Sequence, residues 1–474
     1  MMIPNKTKII CTMGPASSSV EKIAELANAG MNIARVNFSH GNYEAHKEII
    51  QNIRKAEELS GKTITILGDL QGPKIRIDRI EGGQCELVKG QEFVITSDEI
   101  GLGNIEMVST NFAGLISDAK GGKEILLDDG YIILDIVSVE GTKIKTKVRK
   151  GGTLKDRKGI IIPGCSSSAP SITEKDLKDL KFAIENDIDV VAMSFVRNAN
   201  DIIELRGAMK IYGSKLPIVS KIERVEAVNN LNNIVKEVDI IMIARGDLGL
   251  EMPAELVPLT QKEIIDKCNF YGKPVIVATQ MLESMIKNPR PTRAEASDVA
   301  NAVLDGADVL MLSGETSVGD YPIEAVEYMS KIISSVEMKY CTIDFESDTP
   351  KERLRDWSDA LANSSCVLAR QVGASAIISI TGTGYTASNI SKYRPCIPII
   401  AITDSIQTKR FLNFTWGVQS VSVPKIDNRL DIYQNIGNIL GELSYIQKGD
   451  NVVFVAGLSS DEIIPQNIIK IYQI

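Results

Sequence analysis

Histidine is almost missing from this chain: His40 and His46 are the only two, which excludes a histidine-rich metal centre. The seven cysteines (Cys11, Cys85, Cys165, Cys268, Cys341, Cys366 and Cys396) include no Cys-x-x-Cys pair. Scattered and odd in number, they read as buried reduced thiols, not as a disulfide or zinc framework. No apolar run approaches the roughly twenty residues of a membrane span, and Met1–Lys8 holds no apolar signal core. Excess positive charge is missing too. A net charge of −8 excludes a broad nucleic-acid surface, which needs clustered Lys and Arg, but leaves room for small anionic ligands held by local cations. At 44% hydrophobic and 24% charged residues, the composition is that of a globular chain, not a disordered one. These bounds predict a cytoplasmic enzyme of about two to four domains.

What the chain does have is a recurrence. Eight short apolar runs carry polar or charged residues at or near their C-terminal ends: Lys8–Met13, Asn32–Ser39, Thr63–Asp69, Asp189–Val196, Pro217–Glu223, Ile240–Asp247, Pro274–Thr279 and Val309–Glu315. Helix-length amphipathic segments follow most of them. Eight strand-then-helix units predict an α/β fold, a parallel (β/α)8 barrel whose site lies at the C-terminal ends of its strands. Between Leu70 and Ser171 the pattern changes to strand-like alternation at Glu86–Thr96, Glu124–Ser138 and Lys143–Arg149, with turns at Gly82-Gly83, Gly121-Gly122 and Gly151-Gly152. The expected organisation is a discontinuous barrel domain over 1–70 and 171–345, with an inserted all-β lid, a small β-barrel, over 71–170. Ser171-Ile-Thr-Glu174 reads as a capping box reopening the barrel, and Asp320-Tyr-Pro322 as the start of its last helix, running through Glu337. Tyr340–Arg355 reads as a linker. A C-terminal α/β regulatory domain over 346–474 follows, with buried-strand runs at Ala374–Ile380, Ile397–Ile402 and Val452–Ala456.

Residues two apart share a strand face. That spacing groups Arg35, Asn37 and Ser39, with His40 just beyond, and pairs Lys221 with Glu223, Arg245 with Asp247, and Ser313 with Glu315. Charges at strand ends are costly unless they meet a ligand or each other, so any single pair could be an ion pair sealing the barrel. The whole set points further. Glu223 and Asp247 are hard oxygen donors suited to one Mg²⁺ (or Mn²⁺) that keeps water and substrate ligands. Lys221 is a point charge for developing negative oxygen, and Arg35 a fork for phosphate or carboxylate. Gly246 permits close approach of backbone to ligand. Cations, a divalent-metal site and a lid together suggest phosphoryl transfer.

The runs Thr7–Ser17, Gly30–Gly41, Asp69-Leu-Gln-Gly-Pro-Lys-Ile-Arg76, Ser220-Lys-Ile-Glu223, Ala244-Arg-Gly-Asp-Leu-Gly249, Ala278–Met285, Pro291–Glu295 and Leu312-Ser-Gly-Glu-Thr316 resemble the pyruvate kinase family, in order along nearly the whole chain. The resemblance implies transfer of phosphate from phosphoenolpyruvate to ADP, giving pyruvate and ATP. It implies that Arg35 holds the transferred group, that Lys221 stabilises its charge and the enolate oxygen, and that Glu223 and Asp247 bind Mg²⁺. The Gly246 and Asp247 amides and Thr279 would meet the substrate carboxylate, with Thr279 near the carbon to be protonated. Asn37, His40, Arg76 and the lid residue Lys158 resemble nucleotide contacts. Asn37, Ser39, Asp69 and the Leu70 carbonyl resemble a potassium pocket. In Leu70-Gln-Gly-Pro-Lys74, however, a lysine stands where potassium-requiring members usually carry Glu, so its ammonium could replace the ion and K⁺ is not expected to be required. Many members form homotetramers.

Gly382-Thr-Gly384-Tyr-Thr-Ala387, with Asp404 about twenty residues on, matches a dinucleotide-binding fingerprint, but a lone match is weak and no hydride-transfer apparatus accompanies it. Thr381, Gly382, Thr383, Gly384, Tyr385 and Thr386 also offer hydroxyls and amides to a phosphate. The resemblance implies an effector site there. Gly457-Leu-Ser-Ser-Asp461-Glu462 lacks the Gly-rich final loop of fructose-bisphosphate-activated members, which favours AMP or a sugar monophosphate. Two other readings compete: a metal-dependent barrel lyase or aldolase using the same Lys, Glu and Asp, and a sensor built on an inactive barrel. Arg76 and Lys158 speak against the first, and the intact Lys221, Glu223, Asp247 and Thr279 against the second.

Overall fold

The computed structural model describes residues 4–165, 168–340, 357–424, 446–456 and 468–474. Eight parallel strands close into a barrel: β1 (Lys8–Thr12), β2 (Ile33–Asn37), β3 (Thr65–Asp69), β4 (Val190–Met193), β5 (Ile218–Ile222), β6 (Ile240–Ala244), β7 (Val275–Ala278) and β8 (Val309–Leu312). Each falls inside one of the eight apolar runs. Alternation sorts their side chains. Ile10, Ile33, Leu67, Val190, Val219, Met242, Ile276 and Val309 fill the interior, while Ile9, Ala34, Ile66, Val191, Ile218, Ile241, Val277 and Leu310 face the surrounding helices. Burial on both faces explains why these runs are continuously apolar and rich in Val and Ile.

The inserted segment departs in detail from the expected strands. Glu86–Thr96 splits into Gln84–Leu87 and Glu92–Thr96, with Gly90 at φ +89° in the turn. Glu124–Ser138 splits into Glu124–Leu127 and Ile132–Glu140 around Asp128, Asp129 and Gly130, all at positive φ. Asp tolerates the left-handed region because its short side chain bonds locally, so Asp128-Asp-Gly130 forms a tight hairpin turn where one strand was expected. The strands lie in a six-stranded and a two-stranded sheet around Phe93, Ile95, Leu127 and Leu134, not in one closed ring.

The chain re-enters the barrel through the helix Glu174–Glu185. Its capping box is Thr173 with Asp176, not Ser171 with Glu174. The last barrel helix, Pro322–Tyr340, runs past Glu337, and the rest of the predicted linker lies outside the described residues. Among the described residues the C-terminal sheet has five strands: β9 (Ala376–Ile380), β10 (Ile399–Thr403), β11 (Val418–Ser422), β12 (Asn451–Ala456) and the antiparallel β13 (Ile468–Gln473). β11 and β13 went unforeseen because Gln419, Ser420 and Lys470 interrupt their apolar pattern.

This unit seats on the N-terminal ends of the barrel strands. Phe414 is fully buried within the barrel's interior core, Asn413 donates to the Thr63 carbonyl at 3.0 Å, and Arg410 pairs with Glu57 and Asp189. One end of the barrel is thereby stoppered. The other end, under the inserted sheets, stays available.

Candidate active site

The open end gathers polar side chains from successive strands. On β2, Arg35 alternates with buried Ala34 and Val36, so its guanidinium points inward. Its Nε and Nη2 reach Asp69 Oδ2 at 2.8 and 2.7 Å, and Nη1 donates to Thr12 Oγ1 at 3.1 Å. On β5, Lys221 donates to Ser194 Oγ at 2.8 Å and meets Glu223 Oε1 at 2.9 Å, with Asp69 Oδ1 3.5 Å away. Glu223 Oε2 accepts the Phe195 N–H at 2.7 Å. Asp247 lines one cleft with Glu223, which Lys221 contacts, so the three side chains sit together.

Electrostatics tighten the cluster. Burial alone would favour neutral Lys221, but the Asp69 and Glu223 carboxylates outweigh it and hold the ammonium above the usual lysine range. Burial likewise opposes ionisation of Asp69, and Lys221 and Arg35 overcome it, keeping its pKa low. Glu223 is pushed up, first by burial and then by repulsion from Asp247. Two carboxylates that repel each other while one is 1% exposed form a donor set that a hard divalent cation would relieve, so the residues fit Mg²⁺. Among the described residues no group of three or more His, Cys, Asp or Glu is placed to hold a metal ion, so Glu223 and Asp247 would leave the remaining positions to water and substrate.

The two-residue spacing failed at two strand ends. Arg245 and Asp247 lie on the helical turn Arg245–Glu251, where residues two apart diverge. Asp247 lines the cleft with Glu223, whereas Arg245 makes a two-pronged pair with Asp298 at 2.7 Å on each arm. Arg245 Nη2 also donates to the Thr279 carbonyl at 2.8 Å. That contact braces an unusual stretch, since Thr279 and Gln280 sit at φ +69° and +53°. Thr279 Oγ1 accepts the Gly246 N–H at 2.8 Å, and a Cβ on residue 246 would come 3.4 Å from that oxygen. Ser313 and Glu315 are likewise on a turn. Buried Glu315 accepts the Leu282 and Ser313 N–H groups and is a brace between loops, not part of the cleft.

The inserted sheets close over this end. Glu223 and Asp247 share a cleft with Lys74, Ile75, Asp129, Gly159 and Ile161, and a second, wider recess joins Asp247, Gly246 and Thr279 to Tyr131 and Asp298. The expected nucleotide residues are not gathered with them. Arg76 donates to the Arg157 carbonyl and Lys158 pairs with Asp128, both within the inserted unit, and His40 is exposed on the loop after β2. Of the potassium-pocket residues, Asn37 Oδ1 accepts the Ser39 N–H, the Leu70 carbonyl accepts from Ser194, and Asp69 Oδ1 is buried without a hydrogen bond. Lys74 lines the cleft.

In the C-terminal unit, Thr381 Oγ1 accepts the Gly384 N–H at 2.8 Å and Thr386 is buried, leaving Gly382, Thr383 and Tyr385 exposed. The helix they open, Tyr385–Ser391, has seven residues. The expected Gly457–Glu462 stretch lies outside the described residues. Two contributors escaped the sequence reading. Asp298 carried no local signal, whereas Ser194 stood as a polar residue within the fourth run, just past its strand.

Comparison with known proteins agrees along the chain. A family model described as "Pyruvate kinase, barrel domain" matches residues 4–326, and one described as "Pyruvate kinase, alpha/beta domain" matches 359–472. A pyruvate kinase of Geobacillus stearothermophilus is 44% identical over 472 residues, covering 99% of this chain and 80% of that protein. One from Mycobacterium tuberculosis is 41% identical, covering 98% of each. A solved structure, a pyruvate kinase from Cryptosporidium parvum, superposes with a TM-score of 0.92 at 40% identity, covering 99% of this chain and 96% of that one.

Proposed function

The chain belongs to the pyruvate kinase family, and we propose that Arg35, Lys221, Glu223, Asp247 and Thr279 carry the family's phosphoryl transfer from phosphoenolpyruvate to ADP. The observation that supports this most is the charge arrangement. Two cations, Lys221 and Arg35, stand among three carboxylates, Asp69, Glu223 and Asp247, at the open end of the barrel. Alone, that set would repel an anionic substrate. Glu223 and Asp247 would hold Mg²⁺, or Mn²⁺, which supplies Lewis-acid charge that reverses the sign.

The protein's own groups then have distinct tasks. Arg35, pinned along one edge by Asp69, presents its remaining N–H groups to the phosphoryl oxygens. Lys221 stays charged and stabilises the negative charge that builds on the enolate oxygen as the bond between that oxygen and phosphorus breaks. The leaving enolate takes a proton at carbon near Thr279, through water, while the phosphoryl group passes to an ADP oxygen. Thr279 and the Gly246 and Asp247 amides address the carboxylate. Gly246 would exchange its bond to Thr279 Oγ1 for one to the substrate. Asn37, His40, Arg76 and Lys158 would contact the nucleotide, the last two by lid closure.

Asn37, Ser39, Asp69 and Leu70 form the monovalent-cation pocket in this reading, and Lys74, on the cleft wall, substitutes its ammonium for K⁺. Exposed Thr383 and Tyr385 in the loop Thr381–Thr386 would meet AMP or a sugar monophosphate, in an assembly that the family leads us to expect as a homotetramer. A coupled pyruvate assay tests these statements together. Turnover should require ADP and divalent metal, persist in potassium-free buffer, and shift its phosphoenolpyruvate saturation curve with one such monophosphate. Pyruvate formation without ADP would favour the lyase reading instead; restoration only by added potassium would remove the role of Lys74.

A further inference from the structure

The Lys221 ammonium has three N–H groups and a choice of partners. It donates to Ser194 Oγ at 2.8 Å and lies 2.9 Å from Glu223 Oε1. Asp69 Oδ1, 3.5 Å away, is a buried carboxylate oxygen with no hydrogen bond of its own. That oxygen is a trap: a short shift of the ammonium would satisfy it and remove Lys221 from the phosphoryl group.

Ser194 stands against that shift. Its hydroxyl has one proton, and it is committed to the Leu70 carbonyl at 2.8 Å. A hydroxyl so occupied can only accept from Lys221, and its lone pair is fixed in direction. The side chain itself cannot wander, since Ser194 is 3% exposed and packs against Gly72, where an added Cβ would come within 2.9 Å of Ser194 Cβ. Leu70 is also anchored, its N–H donating to the Ala192 carbonyl across the β3–β4 junction. A rigid chain therefore runs from the barrel backbone through Leu70 and Ser194 to the ammonium.

We propose that Ser194 is a positioning residue for Lys221, holding the ammonium off Asp69 Oδ1 so that its remaining N–H faces the substrate. This rests on the phosphoryl-transfer reading above. Ser194 acts through Lys221 and need not touch substrate.

The test is steady-state kinetics of Ser194→Ala and Ser194→Cys beside the parent chain. Hydrogen bonds to charged groups lie at the strong end of the range, so loss of this one should lower kcat roughly tenfold or more. KM for phosphoenolpyruvate should stay within about threefold, because Arg35 and Thr279 keep their places. Cysteine preserves volume but bonds weakly, so it should behave like alanine if the hydrogen bond matters. Parent-like kcat in Ser194→Cys with loss only in Ser194→Ala would assign Ser194 to packing and overturn the proposal. So would parent-like kcat in both. Should the parent chain itself fail to form pyruvate from phosphoenolpyruvate and ADP, the underlying reading fails instead.

Discussion

Lys8 opens β1 at the stoppered end of the barrel, 4% exposed, with its ammonium donating to the Val418 carbonyl at 2.7 Å. Burial pushes its pKa down to about 8, against the partial opposition of Glu337. Below pH 8 the lysine is charged in both folded and unfolded chains, and folding carries the cost of burying that charge. Between pH 8 and 10.5 the folded chain has lost the proton while the unfolded chain keeps it, so stability attributable to Lys8 rises with pH across that window. Chemical denaturation of the parent and Lys8→Met should therefore show the parent gaining up to about 3 kcal/mol on the variant between those limits. A difference that stays flat would place the ammonium in water. The same scale shows how far single residues were legible. Arg35, Lys221 and Glu223 announced themselves as charges ending apolar strands. Ser194 did not, because a serine after an apolar run is unremarkable until its neighbours in space are known.

At the scale of elements, the eight apolar runs placed all eight barrel strands, since burial on two faces leaves no room for polar interruption. The hairpins of the inserted unit were harder. One-sided strands are short and joined by tight turns, and the Asp128-Asp-Gly130 turn signal between two apolar stretches was passed over. Beyond the strand ends, period-two reasoning lapsed because the chain turns helical at Arg245 and Gly314. The turn after β7 is where this matters for activity. Thr279 and Gln280 hold left-handed backbone that Arg245 braces, and Asp298 in turn fixes Arg245. Asp298→Ala should free that arginine and let the turn relax, raising KM for phosphoenolpyruvate several-fold through Thr279 and Gly246, with a smaller change in kcat. Unchanged KM would mean the turn holds itself.

Across the whole molecule, the two additions to the barrel occupy opposite ends: inserted sheets over the catalytic mouth, the C-terminal unit under the floor. Composition and alternation led to an expectation of three units, but gave no hint that Phe414 enters the barrel's own core, because no local pattern marks a side chain that packs on distant strands. Phe414→Ala should cost about 3–5 kcal/mol in equilibrium denaturation, a core-sized loss from a residue outside the barrel sequence. A loss below about 1 kcal/mol would mean the two units fold without this joint. The relatives' match across both units agrees with a single working enzyme.

The central claim is that one fixed ammonium beside a two-carboxylate metal site performs the transfer. Turnover of Lys221→Met on saturating phosphoenolpyruvate, ADP and Mg²⁺ tests it most directly. Loss of a preorganised charge at the reacting oxygen predicts a fall in kcat of roughly 100-fold or more with the fold intact. A folded variant that keeps parent kcat would contradict the account.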